Sequence, residues 1–483
     1  KKGSSMVKQM YYYIGDENFS KGLSLYFNQY HWNNTVFEDF IDKMVEAAGD
    51  KFSNLKELSF NWIQKAGLNE ISLEIDCDKD TNKINKFIVK QKPCLEQFPN
   101  LITHIVDFLF IYDFEDNEKN KIFKRQIIEP KNETVFDFSN ELIPKIVFLN
   151  YNDYGYMKLD LSYMNMEDLK QYLLKCKDTL IKVSLYRALF DTFRDSKISS
   201  IEFLDITFET IKTEPDEDTV TVLLGYISSV IKDYLPLKYI PEYKTKIFKI
   251  LKETLEKELS HINFNKDRAK NILIYLNEFA SDEENKKYLI RLLNLDSNII
   301  SQTRRYAYVK AIYSSRIIPL EEKEKLLNRE IKRDKNSVES LTTKIFCNSA
   351  LPDRANKEKL WKKITEESNS DSLKNMEAII MGFAPAEQYD LIEDFLTQKF
   401  FEVLPKIGKG NEAFYVEYFI KYLSPKLFTN DEMIQKMDKL INELKEDKDQ
   451  TQVVTYLTER CDTMKRINIS REKCEQYLKN KKN

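Results

Sequence analysis

Imidazole is the side chain most often used to hold a catalytic metal, and this chain has three: His31, His104 and His261. A metal-hydrolase helix needs the spacing H-E-x-x-H, which stacks two imidazoles one turn apart on one face. None of the three stands in such a pattern. Each is expected at the surface, with His104, just ahead of a strand, partly buried. Six cysteines, at 77, 94, 176, 347, 461 and 474, form no C-x-x-C pair and are too sparse for a disulfide scaffold. Free thiols in a reducing, cytoplasmic compartment are therefore expected. The chain has no glycine-rich phosphate loop and no G-x-S-x-G elbow. Adjacent carboxylates such as Glu283–Glu284 and Glu321–Glu322 lie in charged helix ends and read as solvated faces. The residues thus assign this chain no catalytic group and no metal ligand set, and describe a scaffold.

Composition says what kind of scaffold. The 483 residues are 42% hydrophobic and 32% charged, ample for packed cores. Only 10 Gly and 12 Pro, with abundant Leu, Lys and Glu, favour long helices. Seventy-five basic residues face 78 acidic ones, a balance that offers no general attraction to nucleic acid or an anionic membrane. No apolar run approaches the ~18 residues of a membrane span. The start, KKGSSMVKQMYYYIG, is interrupted by Ser4, Ser5, Lys8 and Gln9, and a signal peptide is not expected there.

Hydrophobic period divides the chain in three. Residues 1–70 read as four short helices. Gly15 should close the first and Asp16 cap the second, whose stripe is Phe19, Leu23, Tyr26, Phe27 and Tyr30. Thr35 and Glu38 form a T-x-x-E capping box for the third, which Gly49 ends. Leu55, Leu58 and Trp62 mark the fourth. These helices carry bulky residues on several faces (Tyr11, Tyr12, Tyr13, Trp32, Phe37, Phe40, Trp62), so part of that surface should lack cover. At Ile71 the period changes to two, and about seven short apolar runs through residue 162 indicate a small β-sandwich. From 163 to 483 the pattern is helical, as in Leu223, Ile227, Val230 and Tyr234, with polar breaks such as TEPDED and SDEEN. An irregular α-helical solenoid is expected there, mainly α overall, with protease cuts first near 115–120 and 212–218.

Several blocks are more specific than their composition. Lys2-Gly3, Gly15-Asp16-Glu17-Asn18-Phe19, Gly22-Leu23 and Tyr26-Phe27 match the pattern Y-x-K-G … G-[DE]-[DE]-x-F … G-[LM] … Y-[FL]. That pattern follows the active-site tyrosine of zinc aminopeptidases of the aminopeptidase N type, in the gluzincin family. FNWIQKAGLNEISLE resembles the block closing their thermolysin-like domain. Its Ala66-Gly67-Leu68-Asn69 departs from the common G-x-P ending and is more like the actinobacterial branch. VFLNYNDYGYMKLDL resembles the end of the family's β-sandwich, LYRALFDTFRDSKIS an early helix of its large helical domain, and MEAIIMGFAPAEQYDLIEDFLTQKFFEVL a late one. The blocks are collinear and cover nearly the whole chain.

The resemblance implies that residues 1–70 are the last helices of a thermolysin-like catalytic domain, 71–162 a β-sandwich and 163–483 a bowl-shaped helical domain. It implies a zinc held by two histidines and a glutamate, a glutamate base and a tyrosine that stabilises the oxyanion, all upstream of Lys1. The partners implied are that upstream catalytic half and a peptide substrate. Lys2 and Gly3, next to the tyrosine position, and Arg187 and Arg194, which could face the bowl and meet a substrate carboxylate, are the candidate cleft residues. For Gly3 the alternative is an ordinary helix cap, and for the arginines structural ion pairs. The competing function is a non-catalytic helical scaffold derived from the same fold.

Overall fold

The structure, a computed structural model, describes residues 2–114, 121–261, 266–295, 299–335, 337–365 and 371–482. The expected protease site at 115–120 lies outside them, whereas 212–218 spans the junction between the helices Ser200–Thr213 and Glu217–Ser229. The chain forms two compact units, residues 1–197 and 198–483.

The first unit opens with four helices: α1 (Lys2–Ile14), α2 (Asp16–Tyr30), α3 (Phe37–Ala48) and α4 (Leu55–Gln64). Met6, Met10 and Ile14 of α1 lie at helical spacing and pack with Ile41, Met44, Leu55, Leu58 and Trp62. Two local expectations are displaced by one residue. Gly15, at φ +83°, is itself the N-cap of α2, so Asp16 falls in the first turn, where its carboxylate still opposes the helix dipole. In α3 it is Asp39, not Glu38, that returns to the chain, accepting from Val36 N at 2.9 Å; Thr35 Oγ1 is 2.6 Å from the Tyr26 hydroxyl. Gly49 ends α3 at φ +70° as expected, its N–H bonded to Val45 O. Trp62 is buried and donates to Thr103 O at 2.8 Å. Trp32 is fully exposed, and Phe27 and Val36 are mostly so.

The strands are β1 (Asn69–Asp78), β2 (Lys83–Pro93), β3 (His104–Ile111), β4 (Lys121–Ile128), β5 (Glu133–Phe136), β6 (Ile146–Tyr151) and β7 (Lys158–Leu159). They form a four-stranded sheet, β5-β2-β1-β7, and a three-stranded sheet, β4-β3-β6. The pairs are antiparallel except β1 with β7, which is parallel. Phe87 of the first sheet stacks on Phe108 of the second at 6.0 Å and meets Phe110 edge-on at 5.8 Å, which places aromatic rings between the sheets. Two helices, α5 (Met166–Lys175) and α6 (Thr179–Arg194), complete this unit; Thr192 Oγ1 of α6 accepts from Leu161 N at 2.9 Å.

The second unit is helical among its described residues. Ser199, Asp216, Asp282, Ser301, Ser337 and Ser372 cap its helices, each accepting a first-turn N–H. Consecutive helices pack as neighbours, Ile240–Ser260 on Lys266–Phe279 and Gln302–Tyr313 on Leu320–Arg333. The 32-residue helix Thr451–Lys482 packs on Asp431–Leu444 and returns to Ser200–Thr213, so the unit's two ends meet. Leu223, Ile227, Val230 and Tyr234 are all buried, as their spacing predicts, although Val230–Tyr234 is a π-helical turn. A second π turn spans Phe395–Lys399.

Candidate functional site

The start of α1 is where the sequence places the residues closest to chemistry. Lys2 reaches across to the end of α4, donating to Ile63 O at 3.2 Å and Lys65 O at 2.6 Å. Carbonyls at a helix C-terminus lack partners within the helix, and a lysine there also meets the negative end of the dipole. Lys2 therefore ties α1 to α4. A Cβ built on Gly3 would meet no atom within 4 Å, so local space does not require glycine there.

Behind Lys2 the helices rest on β3 through buried amides. Gln9 Nε2 donates to Ile105 O at 3.0 Å, and Gln91 Nε2 donates to Asn69 Oδ1 at 2.9 Å and Ile102 O at 2.8 Å. His104 is not at the surface. It is the first residue of β3, 1% exposed, with Nε2 3.3 Å from Asn69 Oδ1. Burial lowers its pKa to about 3, so its imidazole is neutral. Lys2, Gln9, Trp62, His104 and Tyr156 border a cavity of about 10 Å³, room for about one water. His31 is exposed, its Nδ1 3.0 Å from Asn28 O, and His261 is an exposed residue just past the helix Ile240–Ser260.

On the other side of α1, Tyr12 donates to Asp107, stacks on Tyr154 at 3.8 Å and carries the Arg125 guanidinium 4.6 Å from its ring centre. Burial, then the bonded Asp107 carboxylate, pushes the Tyr12 phenol well above its ordinary value. This cluster fastens the C-terminal end of α1 to β3 and β4.

The two candidate arginines lie on α6. Arg187 is 63% exposed, 3.8 Å from Asp153. Arg194, in the last turn, is half-buried near Asp191, whose carboxyl burial pushes up while Lys158 and Arg194 pull it down. The next residue, Asp195, pairs with Lys158. Lys197 joins Glu70 at 2.7 Å and Asp160 at 2.6 Å, and Lys158 lies 3.9 Å from Glu70. That network clamps the end of α6 to β1 and β7 (its partners are largely covered, so it resists screening).

Among the described residues, no group of three His, Cys, Asp or Glu is placed to hold a metal ion. The described residues do not fit a zinc centre. Reading the sequence alone missed Lys2 as a cap and the buried lysines of the second unit, because a lone lysine in an amphipathic helix carries no positional signal.

Helices leading into a two-sheet β-sandwich, followed by a long helical array, define an architecture shared with solved aminopeptidases. A structure of Legionella pneumophila aminopeptidase A in complex with aspartic acid superimposes with a TM-score of 0.59 over 95% of this chain and 56% of that one, at 14% identity. The family model described as ERAP1-like C-terminal domain matches residues 146–466, and that described as Peptidase family M1 domain matches residues 1–62. The chain belongs to the ERAP1-like C-terminal domain family and corresponds to the C-terminal portion of an aminopeptidase N-type protein. It is 23% identical over 453 residues to Aminopeptidase N of Streptomyces lividans, covering 90% of this chain and 50% of that protein. Aminopeptidase N of Lactococcus lactis subsp. lactis is 34% identical over 74 residues, 15% of this chain and 8% of that protein. The chain thus spans about half the length of the Streptomyces relative.

Proposed function

We propose that this chain is the scaffold and substrate-enclosing portion of a zinc-dependent aminopeptidase that removes N-terminal amino acids from peptides. The observation that carries this reading is the order of the two family matches: a short M1 stretch at 1–62 runs into a helical-domain match at 146–466. In this reading residues 1–70 buttress the catalytic domain, 71–162 are a spacer, and 163–483 form a bowl that encloses the peptide. Zinc, its ligands and the catalytic tyrosine belong to a catalytic half outside this chain. Lys2 acts by fixing the first turn of α1, and Gly3 lies beside it. Arg187 is exposed enough to meet a peptide carboxylate, whereas Arg194 is half-buried. The six free cysteines, four of them buried, suit a cytoplasmic setting. No helix among the described residues is long and apolar enough to cross a membrane.

Metal analysis and an aminoacyl-naphthylamide assay test the proposal. The 483-residue chain alone should bind no stoichiometric zinc and show no hydrolysis. Co-expression with the segment encoded upstream of Lys1, if it contains H-E-x-x-H, should yield a zinc-dependent activity. One tightly bound zinc per isolated chain overturns this assignment. An upstream frame without the motif favours the non-catalytic scaffold instead.

A further inference from the structure

The two π-helical turns described in the second unit meet at one cleft. Its volume is about 430 Å³, within the range of roughly 300–1,000 Å³ that small-molecule sites occupy. The π turn Phe395–Lys399 contributes Thr397 and Gln398, and the helix Tyr389–Asp394 before it contributes Glu393. Other walls are the segment 427–430 and the start of the helix Asp431–Leu444. Arg471 of the long helix Thr451–Lys482 also borders the cleft, and its Nη2 donates at 3.1 Å to Asp233 O of the π turn Val230–Tyr234. A π turn breaks the regular helical spacing and redirects the side chains around it, and such turns recur at functional sites.

The charges around this cleft do not all cancel one another. Glu432 and Lys436, one helical turn apart, pair at 2.8 Å. Arg471 is bonded only to backbone: its Nη1 donates to Leu427 O at 3.3 Å and Thr429 O at 3.4 Å, and its Nε has no acceptor. Burial lowers its pKa to about 10 against the opposing pull of Asp233, whose carboxylate is itself paired with Lys426 at 2.8 Å. Glu393 is exposed, and among the described residues no cation pairs with it. A carboxylate and a guanidinium thus border one cleft, neither of them held in an ion pair. Leu237, Phe428 and Met433 give the same cleft an apolar wall. A guanidinium complements a carboxylate and a carboxylate complements an ammonium, so a ligand carrying both charges satisfies both groups.

We propose that this cleft binds a small zwitterion with an apolar side chain, a free α-amino acid or a dipeptide, its ammonium on Glu393 and its carboxylate on Arg471. The apolar side chain lies against Leu237, Phe428 and Met433. A singly charged ligand would cover one of the two charged groups without giving it a partner, which is costly. The site does not depend on the peptidase reading, since its test is binding alone.

Calorimetry and thermal melting of the 483-residue chain test it, with L-leucine, leucyl-leucine, leucinamide and 4-methylpentanoate as probes at matched ionic strength. The first two carry both charges, leucinamide only the ammonium and 4-methylpentanoate only the carboxylate. At least one zwitterion should give saturable heat and a saturable rise in Tm, and the tighter of the two names the source. Each singly charged probe should bind about tenfold more weakly, the worth of one hydrogen bond to a charged group. Glu393→Gln, at an exposed position, should fold, bind that zwitterion about tenfold more weakly, and no longer prefer leucine to 4-methylpentanoate. Arg471→Lys keeps a cation but loses the planar fork, and should weaken the zwitterion more than leucinamide. Glu253→Gln, on the exposed side of the helix Ile240–Ser260, should respond like wild type. No saturable response to either zwitterion, a singly charged probe that binds as well, an undiminished response in Glu393→Gln, or equal losses for zwitterion and leucinamide in Arg471→Lys overturns the site.

Discussion

Lys357 offers the sharpest test of how the second unit is held together. Its side chain is fully buried, and its ammonium donates to Ser349 O at 2.8 Å and Gly382 O at 3.3 Å. It thereby joins the ends of the helices Val338–Ser349 and Leu373–Phe383, and among the described residues no carboxylate pairs with it. Burial lowers its pKa from 10.5 to about 7. The folded pKa lies below the unfolded one, so between about pH 7 and 10.5 the unfolded chain binds more protons. Stability rises with pH across that window and is lost as pH falls through it. At about 1.4 kcal/mol per pH unit, the full difference is of order 5 kcal/mol. Lys357→Met removes this dependence and leaves two carbonyls without that donor, a loss of about 1–3 kcal/mol each. The variant should thus be close to wild type, or more stable, at pH 6.5 and clearly less stable at pH 9.5. Urea unfolding at both pH values measures this, using the fluorescence of Trp361, whose ring lies 5.6 Å from Phe383 in the same core. Comparing the two proteins cancels the other buried lysines. Wild-type and variant stabilities that move in parallel with pH would refute the argument.

Gly382→Ala should destabilise the same junction by about 1–3 kcal/mol, because the new Cβ would sit 2.6 Å from Phe346 O and 2.8 Å from Ser349 Cβ, and a backbone carbonyl cannot swing aside. Thermal melting reads the loss, and an unchanged Tm would mean the helices separate freely. His104 should remain neutral throughout pH 5–8, so its ring signals in NMR should not titrate there; a His104 midpoint near 6.5 would contradict its burial.

Much of this architecture is legible in the sequence because hydrophobic period is a local property. The stripe at Leu223, Ile227, Val230 and Tyr234 specifies a buried helical face, and alternation from Ile71 specifies a half-covered strand, whatever lies on top. Gly49 closing α3 at positive φ is local in the same sense. Displaced caps, as at Val36 and Asp39, show the limit of that logic: several neighbouring residues can satisfy a first turn, and packing chooses among them.

What only the tertiary structure decided concerns charged and polar groups, whose fate depends on partners distant in sequence. Nothing near Lys2 marks it as a cap for α4, since its acceptors are 61 and 63 residues away. His104 turns from an expected surface group into a neutral core residue because α1 and β2 deliver Gln9 and Gln91 to the strand edge. Lys286 and Lys323 look like any solvated helix lysine until the fold closes them on Ala311 O and Ser315 O. An apolar side chain is stabilised by any cover, so its pattern suffices. A charge is stabilised only by particular partners at particular distances, and those are set when the chain closes on itself.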